Sequence, residues 1–197
     1  MLFFVESRVI RADDPRRSSL EARGWTVSAR SWAAELEAPA VDRSLLRALI
    51  ARVAGIVTIR SLGDDDVAGV LALDRLTGHD YPGGLATRHQ ALTVERARVT
   101  VGRVAFGAFT ADHRVVAMTY LDLEGEKAET DFTVVSSTMR GHGVATAVKA
   151  ASVDALLDHG IRRFRTGGSS DNAAIIAANQ ALGYVRDEEW LTLESPG

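Results

Sequence analysis

The feature that most constrains the fold is a glycine-containing turn between a predicted strand and a predicted helix. The strand is expected over residues 129–135, the helix over residues 143–159, and the turn reads Arg140-Gly141-His142-Gly143-Val144-Ala145. Gly141 and Gly143 permit a tight turn because they carry no Cβ. The first N–H groups of a helix lack intrahelical partners, and with the positive helix end they attract anions. With Arg140, the turn predicts a diphosphate site, although similar turns also occur in proteins that bind nothing there.

The spacing of hydrophobic residues from position 56 to 194 predicts the element order βααβββαβαβ. Its middle strands, over residues 104–110, 115–123 and 129–135, are separated by hairpin-sized turns and should form an antiparallel meander. The helix that follows leads to a strand over residues 161–165, and a helical crossover joins parallel strands. We therefore predict an α/β protein of mixed α+β type. Its mixed, twisted sheet should contain the meander followed by β-α-β-α-β, with helices on both faces.

Composition excludes several functional classes. The net charge is −3, from 23 basic and 26 acidic residues, so no nucleic-acid surface is expected. The chain has no cysteine, which excludes disulfides, thiolate metal sites and cysteine nucleophiles. No apolar run approaches the ~20 residues needed to span a membrane, and the start lacks the basic region of a signal peptide. No His, Asp or Glu spacing suggests a metal site. We expect a soluble, cytoplasmic protein without metal, nucleic-acid partner or membrane contact.

Two motifs resemble those of the GNAT acetyltransferase superfamily. The first is Gln/Arg-x-x-Gly-x-Gly/Ala, which Arg140, Gly143 and Ala145 match. In the second, an Asn opens the last helix and Leu-Gly-Phe/Tyr closes it, as Asn172 and Leu182-Gly183-Tyr184 do here. The resemblance covers about residues 56–194 and is closest to an actinobacterial-type branch. It implies a GNAT-like fold and transfer of an acetyl group from acetyl-CoA to a primary amine of a small molecule or peptide, by a monomer or homodimer.

The resemblance also implies where acetyl-CoA binds. Residues 133–135 would lie where two parallel strands splay apart, and their backbone groups would pair with the pantetheine amides. Residues 141–146 would hold the pyrophosphate, and Asn172 would contact the pantetheine arm near the thioester. The expected cofactor-binding residues are Thr133, Val134, Val135, Arg140, Gly141, His142, Gly143, Val144, Ala145, Thr146, Asn172 and Asn179.

The sequence departs from the family at the catalytic positions. Many relatives place a general-acid Tyr where this chain has Asn179, and a carboxamide cannot serve as that acid. Asn179 could still donate a hydrogen bond to the sulfur or the thioester oxygen, or be a satisfied buried residue. The stretch 166–169 also lacks the Glu that some relatives carry. Glu129 and Asp131, on one face of their strand, are the candidate bases, and Tyr184 is the candidate phenol. Solvated edge charges and a core tyrosine are the alternatives. A non-catalytic acyl-CoA-binding sensor or scaffold is therefore the competing function.

Residues 1–54 are predicted to be an N-terminal extension and residues 55–197 the GNAT domain. Residues 2–5 form a short apolar run that suggests a strand, and residues 25–32 have strand character. The sequence Leu20-Glu21-Ala22-Arg23-Gly24-Trp25 faintly resembles Ala181-Leu182-Gly183-Tyr184. Two interpretations stay open: the remnant of a duplicated GNAT tail, or an unrelated extension that packs on the sheet.

Overall fold

The computed structural model describes residues 5–82 and 84–196, and its strands form an eight-stranded mixed sheet in the order β1-β8-β2-β7-β6-β5-β4-β3. The strands are β1 (Ser7–Arg11), β2 (Thr26–Glu37), β3 (Thr58–Ser61), β4 (Arg103–Phe109), β5 (Val115–Glu124), β6 (Lys127–Val135), β7 (Arg163–Ser169) and β8 (Val185–Glu194). The α-helices are α1 (Arg17–Ala22), α2 (Arg43–Ala51), α3 (Val67–Thr77), α4 (Val94–Ala97), α5 (Val144–Asp158) and α6 (Ala173–Ala181). Of the strand predicted over residues 2–5, positions 2–4 lie outside the described residues.

The predicted fold class and element order are confirmed. Strands β3, β4, β5 and β6 pair antiparallel with one another in sequence, and β6 pairs parallel with β7, the strand that follows the crossover helix α5. Helix α5 packs on one face of the sheet, where Val144 and Ala147 join a buried cluster. Helix α3 packs on the other face, with Val70 and Leu73 against Tyr120 of β5. No helix in the described part of the chain is long and apolar enough to cross a membrane.

Strands β6 and β7 stay together over only a short distance. Their pairing begins at Lys127 with Arg163 and ends at Glu129 with Arg165. A β-bulge follows in β6, where Tyr120 of β5 opposes Phe132 and the next residue of β5 opposes Thr130. The inserted residue is Asp131, and a bulge bends the strand that carries it. Beyond Glu129 the edge of β6 that faces β7 therefore has no strand partner, and a cleft opens there.

The N-terminal segment is part of the same sheet. Strand β2 lies between β7 and β8 and pairs antiparallel with both, while β1 pairs with β8 at the sheet edge. Trp32 of β2 is only 4% exposed and belongs to the main core cluster. The segment therefore completes the sheet in place of resting on its surface. The domain boundary at residue 54 stays a prediction.

The unit β1-α1-β2 repeats the local geometry of β7-α6-β8. Gly24 and Gly183 end the two helices with φ of +85° and +90°. Trp25 donates its N–H to the Leu20 carbonyl, and Tyr184 donates its N–H to the Asn179 carbonyl, both at 3.1 Å. The two units also occupy equivalent positions in the sheet. If β1 is exchanged with β7 and β2 with β8, the strand order β1-β8-β2-β7 is simply read backwards. This internal symmetry favours the duplicated-tail interpretation, which we keep as a proposal.

Candidate functional site

Two cavities open where β6 and β7 separate. The first, the turn cavity, has a volume of about 530 Å³ and runs along residues 133–135 and the turn before α5. The second, the loop cavity, has a volume of about 570 Å³ and lies between the loop after α3, the bulge of β6 and the end of β7. The two cavities adjoin, because the same residues line both of them. These shared residues are Tyr81, Pro82, Thr133, Asn172 and Ile175.

The turn has the geometry of an anion site. Gly141 and Gly143 have φ of +79° and +78°, a region that side chains other than glycine rarely adopt. A Cβ at either position would have no atom within 4 Å, so the concave face is open. Within residues 5–82 and 84–196, the backbone N–H groups of residues 141–146 find no hydrogen-bond acceptor. A row of free N–H groups at the start of a long helix fits the oxygens of a diphosphate.

The two polar side chains of the turn behave differently. Arg140 donates from Nε to the carbonyl of Val135 at 3.2 Å, and its Nη2 pairs with Asp80, which lies beyond the end of α3. Arg140 thus stands at the turn cavity with a carboxylate beside it. His142 is exposed, and its Nδ1 lies 2.9 Å from the Arg140 carbonyl oxygen. His142 lines neither cavity, and its backbone N–H is one of the free groups of the turn.

The predicted thioester-side residues meet at the junction of the cavities. Thr133 and Asn172 line both cavities from opposite sides of the cleft. Asn172 caps α6, since its Oδ1 accepts the N–H of Ile175 at 3.2 Å. Its amide nitrogen has no partner in the described part of the chain and is available to a ligand. Residues 134 and 135 continue along the open edge of β6 in the turn cavity.

Asn179 and Tyr184 are buried and line neither cavity. Asn179 is 2% exposed, and neither atom of its carboxamide has a hydrogen-bond partner among the described residues. Tyr184 belongs to the main core cluster, and its burial raises the pKa of the phenol. Neither residue lines the cleft, and a role for either one at the thioester stays a prediction.

Glu129 and Asp131 both line the loop cavity, but each carboxylate already has a cationic partner. Asp131 accepts hydrogen bonds from Arg103 at 2.6 Å and Arg96 at 3.3 Å. Glu129 pairs with Lys127 at 2.6 Å and is exposed. These ion pairs occupy lone pairs of both carboxylates. Both candidate bases therefore line the cleft, but each already forms an ion pair with a lysine or arginine.

Sequence reasoning did not identify the pair formed by Asp74 and His89. The carboxylate of Asp74 lies 2.6 Å from Nε2 of His89 and also accepts the N–H of Leu92 at 2.8 Å. The imidazole stacks on Tyr81 with ring centroids 4.2 Å apart and meets Phe132 edge-on. One signal was available: Asp74 follows Leu73 on the inward face of α3, where a carboxylate needs a partner. The partner, His89, comes from an irregular loop and has no periodic signature.

A second missed group is Lys149, which lies on the inner face of α5. Its side chain is fully buried, at 2% exposure for the residue. The ammonium nitrogen contacts the hydroxyls of Thr130 at 3.1 Å and Thr166 at 3.5 Å, and it meets no carboxylate in the described chain. Burial lowers the pKa of Lys149 to about 7. Its position beneath the opening between β6 and β7 makes it part of the scaffold under the cleft.

The described residues contain no cluster of three or more His, Asp or Glu side chains that could hold a metal ion.

Comparison with known proteins identifies the architecture. The sequence matches no protein-family model, and no curated protein is similar to it. A GCN5-related N-acetyltransferase from Sphaerobacter thermophilus matches 98% of this chain with a TM-score of 0.74 at 14% identity, over 61% of its own length. A tandem GNAT protein from the clavulanic acid biosynthesis pathway matches 98% of this chain at 0.67 and 21% identity, over 65% of its length. A GCN5-related N-acetyltransferase from Kribbella flavida matches 97% at 0.67 and 16% identity, over 68% of its length.

The chain thus spans about two thirds or less of the first two structures, and identities this low establish architecture alone. The match extends over nearly the whole chain, so it includes the N-terminal strands as well as the meander and the glycine turn. The resemblance to an actinobacterial-type branch stays a prediction. On sheet topology, crossover and cleft, the chain has the fold of the GNAT N-acetyltransferases.

Proposed function

We propose that the protein transfers an acetyl group from acetyl-CoA to the primary amine of a small molecule or peptide. The observation that carries the proposal is the alignment of three features along one cleft. Free N–H groups stand at residues 141–146, an unpaired strand edge follows at residues 133–135, and a second cavity opens beyond Thr133 and Asn172. This order matches the order of chemical groups in the donor, which are the diphosphate, the pantetheine amides and the thioester. The second cavity would then hold the acceptor.

Each part of the donor meets suitable chemistry in the cleft. The diphosphate would accept hydrogen bonds from the turn, helped by the positive end of α5. The pantetheine amides would pair with the open edge of β6 as an added strand does. The amide nitrogen of Asn172 would hold the arm near the thioester. Val144, Ala145 and Thr146 form the first turn of α5 on the wall of the turn cavity.

The reaction consistent with this geometry is direct attack of the amine on the thioester carbon. Binding donor and acceptor in adjoining cavities supplies proximity and orientation, which account for much of the rate in bimolecular transfers. Backbone N–H groups at the β6 edge would stabilise the oxyanion as the tetrahedral centre forms. The bulge at Asp131 lies between the end of the pairing with β7 at Glu129 and Thr133, where the two cavities adjoin.

A non-catalytic acyl-CoA-binding module is the second candidate. It is favoured by the position of Asn179, which stands where relatives carry the general acid and lines neither cavity. The ion pairs of Glu129 and Asp131 point the same way. Both candidates share the donor site, so donor binding alone does not separate them.

Calorimetry and turnover test the two candidates in sequence. Acetyl-CoA and CoA should bind in the calorimeter and raise the melting temperature, because a ligand specific to the folded state stabilises it. ATP at the same concentration serves as the matched control for a general nucleotide site. Release of CoA thiol in the presence of a panel of primary amines supports the enzyme. Tight CoA binding without thiol release from any amine supports the binding module, and no binding at millimolar CoA contradicts both.

A further inference from the structure

The loop cavity has a histidine on its wall that is held by a buried carboxylate. His89 belongs to the loop after α3, and its side chain is 5% exposed, in contact with Asp74 at 4%. Its ring stacks on Tyr81, which lines both cavities, and it meets Phe132 beside the bulge of β6. The imidazole therefore stands on the acceptor side of the junction where the thioester of the proposed donor would lie.

The contact with Asp74 determines which nitrogen can act. An ionised carboxylate only accepts hydrogen bonds, so Nε2 of His89 carries the proton. The remaining nitrogen, Nδ1, then holds a free lone pair, and it has no partner in residues 5–82 and 84–196. A second bond from the N–H of Leu92 fixes the Asp74 carboxylate in place. A base whose orientation is set by a third group is the arrangement expected of a general base.

Other ionisable groups face the same space from the surrounding elements. Tyr81 covers one face of the ring from the loop, and its hydroxyl has no hydrogen-bond partner among the described residues. Burial, with a smaller contribution from nearby carboxylates, raises the pKa of Tyr81, so its phenol stays neutral. Asp131 and Glu129 of β6 and Arg96 of α4 line the same cavity, but they are paired with cations or carboxylates. Among these ionisable groups, His89 offers an imidazole lone pair, at Nδ1, that no described residue occupies.

We propose that His89, oriented by Asp74, is the base that accepts a proton from the acceptor amine, directly or through one water. This inference rests on the proposed acyl transfer. The amine nitrogen adds to the thioester carbon to form the tetrahedral centre, and the carbon–sulfur bond then breaks, so that the sulfur leaves with that electron pair. One amine proton passes to Nδ1 of His89. The thiolate takes a proton from solvent and the imidazolium returns one, so one amine and one thioester give one amide and one thiol.

The experiment compares wild type with His89→Gln, whose amide can still donate to Asp74 but cannot accept the proton. Acetyl-CoA is the donor, 2-phenylethylamine is the first acceptor probe, and thiol release is measured against pH. We expect kcat/KM for the amine to fall about 100-fold, a loss typical of removing a general base. The KM for acetyl-CoA and the melting temperature should not change. O-benzylhydroxylamine, a weakly basic acceptor, shows the acidic limb of the pH profile without interference from its own ionisation. That limb should vanish in the variant.

Two further variants test whether His89 acts as a base or only holds the loop in place. His89→Ala should regain turnover when free imidazole is added to the buffer, which an anchoring role would not produce. His79→Gln is the control, because His79 is exposed and lines neither cavity; this variant should behave as wild type. Unchanged turnover in His89→Gln overturns the role of His89 as the base but not the proposed acyl transfer. The same holds if turnover falls only because acetyl-CoA binds more weakly or the melting temperature drops. A wild type that binds acetyl-CoA but acylates neither probe nor any amine of the panel overturns the proposed function as well.

Discussion

Arg140 and Asp80 form an ion pair at the edge of the turn cavity, with the guanidinium also bonded to the carbonyl of Val135. Both side chains line the cavity, so a diphosphate in the turn would lie near a carboxylate as well as near the arginine. The pair is about half exposed, at 47% and 41% of the side chains, and pairs of this kind contribute only ~0.2–1 kcal/mol. Asp80 should therefore weaken the proposed phosphate site at the free N–H groups.

Asp80→Asn should increase the affinity for CoA. Removing the carboxylate leaves Arg140 free to contact phosphate, and the gain is bounded by the ion pair at about fivefold. Arg140→Ala should lower the affinity and flatten its dependence on salt, because one positive charge near the phosphates is lost. Calorimetry at low and high salt measures both effects. Equal CoA affinity in Asp80→Asn and wild type at low salt would show that the pair does not compete with the ligand.

Gly143→Asp should lose CoA binding and also lower stability. The φ of +78° places any side chain in the left-handed region, which costs roughly 1–2 kcal/mol. A carboxylate about 4 Å from a phosphate adds repulsion of roughly 4 kcal/mol at a surface-like dielectric, close to three decades of affinity. Gly125→Ala, with φ of +56° in the turn between β5 and β6, is the matched control for strain.

The comparison is made by urea unfolding and calorimetry. Gly125→Ala should lose stability and retain CoA binding, and Gly143→Ala should lose stability with a smaller loss of binding than the aspartate. If Gly143→Asp binds CoA as tightly as wild type, the turn is not the phosphate site.

Lys149→Met should stabilise the protein most at low pH. Burial lowers the folded-state pKa of Lys149 from 10.5 to about 7, so between those values the unfolded chain holds a proton that the folded chain lacks. Wild-type stability should therefore rise with pH in this window, relative to the variant, by about 1.4 kcal/mol per pH unit. Below pH 7 Lys149 is protonated in both the folded and the unfolded chain. The difference in stability between the variant and wild type is therefore constant there and at its largest. Urea unfolding of both proteins at pH 6, 8 and 9 measures this slope; a gap that does not change with pH would contradict the lowered pKa.

Deletion of residues 1–54 should prevent folding. It removes β2 from between β7 and β8 and takes the buried side chains of Trp32, Ala34 and Leu36 out of the core. Deletion of residues 1–12 removes only the edge strand β1 and should leave a folded protein of lower stability. Far-ultraviolet circular dichroism and urea unfolding distinguish the two results. A soluble, cooperatively folding 55–197 fragment would show that the sheet closes without β2.

Local patterns were sufficient to predict the meander, the crossover and the glycine turn. Their signals lie within a few residues: hairpin-sized connections, a helix with one apolar face, and glycines where the backbone reverses. The splay between β6 and β7 was expected from the family resemblance, and the pairing ends at Glu129 and Arg165. Glu129 and Asp131 line the loop cavity, and their role as bases stays a prediction. Their pairing with Lys127 and with Arg96 and Arg103 was not predicted from the sequence. Arg103 is 28 positions from Asp131, and no periodicity relates them.

From residue 56 onward, the sequence by itself determined which segments become strands and helices and where the glycine turn lies, because those properties depend on side-chain spacing and on glycine. Only the tertiary structure decided that the N-terminal strand β2 enters the middle of the sheet, since strand order depends on which edges remain free after the other strands have paired. Only the tertiary structure placed His89 against Asp74, 15 positions away. The loop that carries His89 has no periodic pattern and folds back over α3. The buried carboxylate of Asp74 on that helix needs a hydrogen-bond donor, and His89 supplies one.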